Sequence, residues 1–167
     1  MTKFFVLRLY NKKLLLGSSE NFYAIISTME QPHSEAPDMQ KMIAEYMENG
    51  CLDNIIDMFK YDKNLYDYIP GLMTDERMRV RIGTIALLET LKKEDAGSIG
   101  NAVASLVPLL KDENPLIRGD VAYVLGLIGG QETIGVLEQL TNNEDPNVRI
   151  IAQEAIEDIQ SRQSLGK

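Results

Sequence analysis

The chain has 167 residues, 44% of them hydrophobic and 25% charged, with a net charge of −8, one Cys and one His. That balance excludes a disordered or membrane-embedded chain, and it excludes the clustered cations that nucleic acid or an anionic bilayer requires. Cys51 alone makes no internal disulfide and fits a reducing compartment, and a single His in a polar loop gives neither Cys/His metal spacing nor a Ser/His/Asp set.

Residues 1–19 carry Lys3, Arg8, Lys12 and Lys13 and no acid. Their apolar runs are broken by charges and no clean cleavage site comes after them, which argues against a leader, and no run is long enough to cross a bilayer. The expectation is a first helix, or a short hairpin around Tyr10–Lys13, that caps the helices after it. Ser18 or Ser19 then opens a helix to about Glu30 with Phe22, Ile25, Ile26 and Met29 on one face. The stretch 31–38, QPHSEAPD, breaks it and leaves His33 in a solvated loop.

Asp38 caps the next helix, which turns Met39, Met42, Ile43, Tyr46 and Met47 inward and stops at Asn49-Gly50. From Leu52 to Phe59 a further helix buries Ile55, Ile56 and Phe59. Asp53 and Asp57 lie one turn apart on its outer side as a solvated face, since acid–base chemistry also needs a pocket. Tyr61, Tyr66 and Tyr68 have no interleaved cations and are expected to pack between repeats rather than to stack a ligand. A helix from about Met78 to Lys92 leads into KKEDAGSIG, expected to be a mobile loop.

Leu106 to Gly130 reads as a helical hairpin. A short apolar helix ends near Leu110, and Asp112-Glu113-Asn114-Pro115 turns the chain and starts an amphipathic helix, Pro115 sitting where its missing N–H has no intrahelical partner. Gly129-Gly130 is expected to close that helix in the left-handed conformation. Val121, Ala122, Leu125 and Ile128 form a stripe that this hairpin cannot cover alone.

A shift of 31 residues lays Asn143–Arg149 on Asp112–Arg118, with Pro146 on Pro115. A shift of 37 in the other direction lays Asp75–Arg81 on the same seven positions. Repetition of cap, Arg and apolar stripe together predicts stacked helix pairs over about 64–93, 99–130 and 131–160. Residues 1–37 are then an N-terminal cap segment and 38–167 the array, in a single structural domain whose last residues, from Ser161, fray.

The Asp–five residues–Arg spacing at Asp75/Arg81 and Asp112/Arg118, with Leu-Gly-Leu-Ile-Gly at 125–129, resembles the HEAT-repeat family. It is most similar to the short repeats named after phycobilisome lyases. The resemblance implies an all-α fold, a right-handed α-solenoid of helical hairpins with an atypical N-terminal cap. It also implies a hydrogen-bonded ladder of Asp75, Arg81, Asp112, Arg118 and Arg149, with Asn143 standing where a third Asp would be, and a concave surface lined by the second helix of each pair.

Opposite the buried stripe, the second helices present Asp120, Tyr123 and Leu127, and at the equivalent positions Ile151, Glu154 and Asp158 on one side and Gly83, Ala86 and Thr90 on the other. An apolar patch rimmed by acids has the composition of a protein-binding surface. The expected function is therefore a non-enzymatic, cytoplasmic scaffold or adaptor, without cofactor or metal, that uses the concave face of the second helices to bind another protein through a basic segment. The family resemblance supplies an alternative, a bilin lyase subunit or related chromophore- or cofactor-assembly helper, with Cys51 as the sole thiol. A base-excising enzyme of the HEAT-like glycosylase type shares the architecture, but a net charge of −8 and the absence of Trp leave it neither cationic groove nor indole platform.

Overall fold

The computed structural model describes residues 38–165, and several of its helical segments begin where a short polar side chain (Asp38, Asp62, Asn114 or Asp145) accepts a backbone N–H of the first turn. Backbone contacts divide the chain into Met1–Ala36 and Pro37–Lys167, and every described residue lies in the second unit. The expected cap over residues 1–37, the helix from Ser18 or Ser19 and the loop around His33 lie outside the described residues.

Helix α1, Met39–Glu48, starts at Asp38, whose carboxylate accepts the Lys41 N–H, and ends at Asn49 and Gly50. Gly50 has φ +77°, a conformation that an L side chain rarely adopts. Helix α2 is Leu52–Tyr61. A 3₁₀ turn, Lys63–Tyr68, runs into α3, Ile69–Met73, and after a polar turn α4 spans Met78–Glu94. Helix α5, Gly100–Leu106, runs into a second 3₁₀ turn, Val107–Lys111, before α6, Pro115–Ile128. Helices α7, Gln131–Leu140, and α8, Pro146–Leu165, complete the array. Two of the three first helices are thus broken into α and 3₁₀ pieces. Pro70 and Pro108 sit at those junctions and interrupt the hydrogen-bond ladder, whereas α7 contains no proline and is continuous.

The fold is all-helical, an α-solenoid of helices packed in sequence order, with no strand among the described residues. The second helices stack directly, α4 on α6 and α6 on α8. One continuous core runs through the stack, and Ile55, Phe59, Leu72, Leu88, Leu106, Leu125, Leu137 and Ile159 are all buried in it. Full burial of such a side chain contributes roughly 1.5–3 kcal/mol.

Helix α1 packs on α4 in the same way. The Thr84 hydroxyl lies 3.6 Å from Met47 Sδ, and Gly83 lies against the Met47 side chain. The 37-residue shift sets Met47 on Thr84 and Asp38 on Asp75 but puts Ala44 where Arg81 stands. A second helix therefore precedes the first repeat expected from sequence, and loss of its Arg hid it.

Three local expectations are corrected. Gly129 and Gly130 are not left-handed, since their φ values are −75° and −128°. Gly126 and Gly129 are needed for space instead: a Cβ on Gly126 would lie 2.6 Å from Ala155 Cβ, and one on Gly129 would lie 2.5 Å from the Leu125 carbonyl oxygen. The insertion expected as a mobile loop is partly absorbed into α4, which runs on to Glu94, and its start is anchored by Lys60 to Glu94 at 2.7 Å and by Lys63 to Asp95. The tyrosines also divide. Tyr66 is buried edge-on against Phe59 with centroids 5.4 Å apart, and burial, with the Asp95 charge beside it, pushes its hydroxyl pKa up to about 12. Tyr68 packs half-buried against the core, while Tyr61 faces solvent.

Candidate functional site

The loops that lead into the second helices share one hydrogen-bonding pattern. The side-chain oxygens of Asp75, Asp112 and Asn143 accept the N–H two residues on, at 2.9, 2.8 and 3.1 Å. The Arg six residues later then folds back onto the same loop. Nη1 of Arg81 donates to the carbonyls of Asp75 and Glu76, that of Arg118 to Asp112 and Glu113, and that of Arg149 to Asn143 and Glu144, all within 3.3 Å.

Contacts between neighbouring repeats are less regular than the expected ladder. Arg118 reaches forward to Asn143 at 3.0 Å and Glu144 at 3.2 Å, whereas Arg81 faces Asp120 at 3.4 Å and does not bond Asp112. The Asp75 carboxylate stays in its own loop, where Arg77 holds its pKa below the ordinary carboxylate value.

The C-terminal end of α6 is closed by cations from both neighbours. Lys92 of α4 donates to the Leu127 carbonyl, and Arg162 of α8 donates to the carbonyls of Gly126 at 2.6 Å and Gly129 at 3.0 Å. Positive charge at a helix C-terminus is favourable, and these bonds occupy carbonyls that lack intrahelical partners. Burial, with Arg162 nearby, pushes the Lys92 ammonium pKa down, opposed by Asp158.

These anchors position the outer face of α4, α6 and α8, and the six residues expected on it divide into two groups. Tyr123 is 51% exposed at the middle of α6, and Glu154 and Asp158 are exposed on α8. Asp120 is half-buried against Arg81; burial raises its carboxyl pKa more than Arg81 lowers it. Leu127 is half-buried and packs on the core. Ile151 does the same, its Cδ1 3.2 Å from where a Cβ on Gly119 would lie.

Sequence reasoning missed Met78, Ile82, Leu116 and Ile150, which are large, apolar and 52–64% exposed. Ile82 and Ile150 occupy one row under the 37- and 31-residue shifts, with buried Gly119 between them, so this pair of isoleucines outside the buried stripe was the available signal. The midline of the face runs through Leu116 and Tyr123, one helical turn nearer the N-terminus of α6 than the expected centre.

Among the described residues no group of His, Cys, Asp and Glu could hold a metal ion, and no helix is long and apolar enough to cross a membrane. Cys51 is half-buried with its Sγ 3.9 Å from the Asn49 carbonyl, and Asp53 and Asp57 are both exposed.

No curated protein matches the chain. The family model for HEAT repeats matches residues 65–157, more than half of its length and the same segment that carries the Asx turns, the folded-back arginines and the stacked second helices. The chain belongs to the HEAT-repeat family.

Proposed function

We propose that this chain is a non-enzymatic scaffold that binds another protein, contacted through a basic segment, along the outer face of α4, α6 and α8. HEAT repeats are commonly protein-interaction scaffolds. The observation that carries the reading here is the exposure of Tyr123 between Leu116, Ile82 and Ile150 on three stacked helices. Isolated apolar side chains on a surface need no explanation, but exposed apolar side chains on each of three stacked helices, beside acidic Glu154 and Asp158, have the composition of an interface centre. The repeat spacings of 37 and 31 residues support assignment to the short variety named after phycobilisome lyases. The free thiol of Cys51 and the net charge of −8 support a cytoplasmic scaffold that does not engage nucleic acid.

The test uses the full chain as bait in extract from its source cell, with bound proteins identified by mass spectrometry. Leu116→Asp with Tyr123→Asp should abolish capture, while Tyr61→Asp, at a still more exposed site elsewhere, should leave it intact. Leu127 is unsuitable for this purpose because it packs on the core. Unchanged capture by the Leu116/Tyr123 variant would refute the face as the binding surface.

A further inference from the structure

The same face has a second property, an uneven charge rim. Glu154 and Asp158 lie one turn apart on α8, both exposed, and neither forms a hydrogen bond or ion pair with a described residue. Lys92 lies close enough to Asp158 to feel its charge, but Lys92 and Arg162 donate their hydrogen bonds to carbonyls of α6, and Lys93 pairs with Glu89 at 2.9 Å. At the other end of the face Arg79 is exposed. Between these ends Ile82 on α4, Leu116 and Tyr123 on α6, and Ile150 on α8 are apolar and each more than half exposed.

We propose that this face docks a cationic amphipathic helix of a partner protein, its apolar side on Ile82, Leu116, Tyr123 and Ile150 and its Lys/Arg edge along Glu154 and Asp158. The proposal rests on the reading of this face as a protein-binding surface and adds the chemistry of the occupant. Backbone hydrogen bonding favours a helix over an extended segment. The three helices satisfy their own N–H and C=O groups, so an extended chain laid on them would find no backbone partners, whereas a helix brings none that need them. The dimensions agree. Packed helices lie about 8–10 Å apart, so the face from α4 to α8 is roughly 16–20 Å wide, a span that about 11–13 helical residues cover. Unpaired carboxylates beside exposed apolar side chains discriminate by charge more than they add affinity, since a like-charged ligand is repelled there.

The probe is a fluorescein-labelled peptide of two Leu-Lys-Lys-Leu-Leu-Lys-Leu heptads, titrated with the full chain and followed by anisotropy. A peptide with Glu in place of Lys is the control, and circular dichroism melting checks each variant's fold. The Leu/Lys peptide should bind at least tenfold more tightly than the Leu/Glu peptide. Charge reversal by Glu154→Lys with Asp158→Lys should invert that preference, and Tyr123→Asp should weaken the Leu/Lys peptide at least tenfold. Equal affinity for the two peptides, both lost on Tyr123→Asp, would overturn the cationic occupant and leave the binding face standing. Binding untouched by Tyr123→Asp would overturn the face itself. Failure of the chain to bind either peptide overturns the proposal, as does sedimentation of the chain as a dimer that Tyr123→Asp disperses, which would make a second copy the occupant.

Discussion

Nη2 of Arg118 donates to Oδ1 of Asn143, 3.0 Å away in the loop that leads into the next second helix, while its Nη1 holds the carbonyls of Asp112 and Glu113. One guanidinium thus ties two successive loops together. Arg118 is 6% exposed, whereas Arg149, which makes the same bonds to its own loop, is exposed and makes no bond to another described loop.

This contrast sets an order of stability. Charge-assisted hydrogen bonds contribute about 1.5–3 kcal/mol when buried and much less when water competes. Arg118→Met should lower unfolding free energy by about 2–3 kcal/mol, and Arg149→Met by less than about 1 kcal/mol, measured by urea denaturation. Equal losses would mean that the bonds within each loop dominate and the contact to Asn143 adds nothing.

A second expectation concerns Gly126. Helices α6 and α8 approach closely there: a Cβ at this site would lie 2.7 Å from Ala155 Cα, so backbone and not a flexible side chain would have to move. Overpacking of this kind costs about 1–3 kcal/mol, and it opposes the roughly 1 kcal/mol that Ala gains over Gly within a helix. Gly126→Ala should therefore destabilise on balance, while Gly135→Ala, in α7 with nothing within 4 Å, should stabilise by up to about 1 kcal/mol. Thermal melts of the two variants that shift in the same direction would contradict the close contact.

Much of this fold was legible because its determinants are local. The turn before each second helix needs a side-chain oxygen two residues ahead of an N–H, and a neutral amide serves as well as a carboxylate, which is why Asn143 stands in the row of Asp75 and Asp112. Pro115 and Asn114 mark the start of α6 for similarly local reasons. What was not legible depends on neighbours distant in sequence. Arg118 reaches the next loop at Asn143 whereas Arg81 faces Asp120 within the next second helix, a difference that lies in how neighbouring repeats pack. The rotation of each helix decides that Leu116 faces solvent while Leu127 packs on the core. The kinship of helix α1 with the other second helices is hidden because Ala44 stands where they carry Arg, and only its contact with α4 reveals its place in the stack.

Comparing the two inner arginines yields the last prediction. Nε of Arg81 and Nε of Arg118 are both buried without a hydrogen bond, but Arg81 has the Asp120 carboxylate 3.4 Å away. The position equivalent to Asp120 in the following repeat is Ile151, which offers Arg118 no charge. Ile151→Asp should place a carboxylate beside Arg118 as Asp120 lies beside Arg81. The substitution gives up apolar contact at a half-buried site, so its net effect on stability should stay within about 1 kcal/mol. In an Arg118→Met background the same change should cost about 1–2 kcal/mol more, because the half-buried carboxylate then has no counter-charge. A double-mutant cycle by urea denaturation reads this directly as a coupling energy of at least about 1 kcal/mol between positions 118 and 151. Ile151→Asn, which lacks the charge, should show less than half of it. A coupling indistinguishable from zero with Asp would mean that the two repeats do not superpose closely enough for one to lend its ion pair to the other.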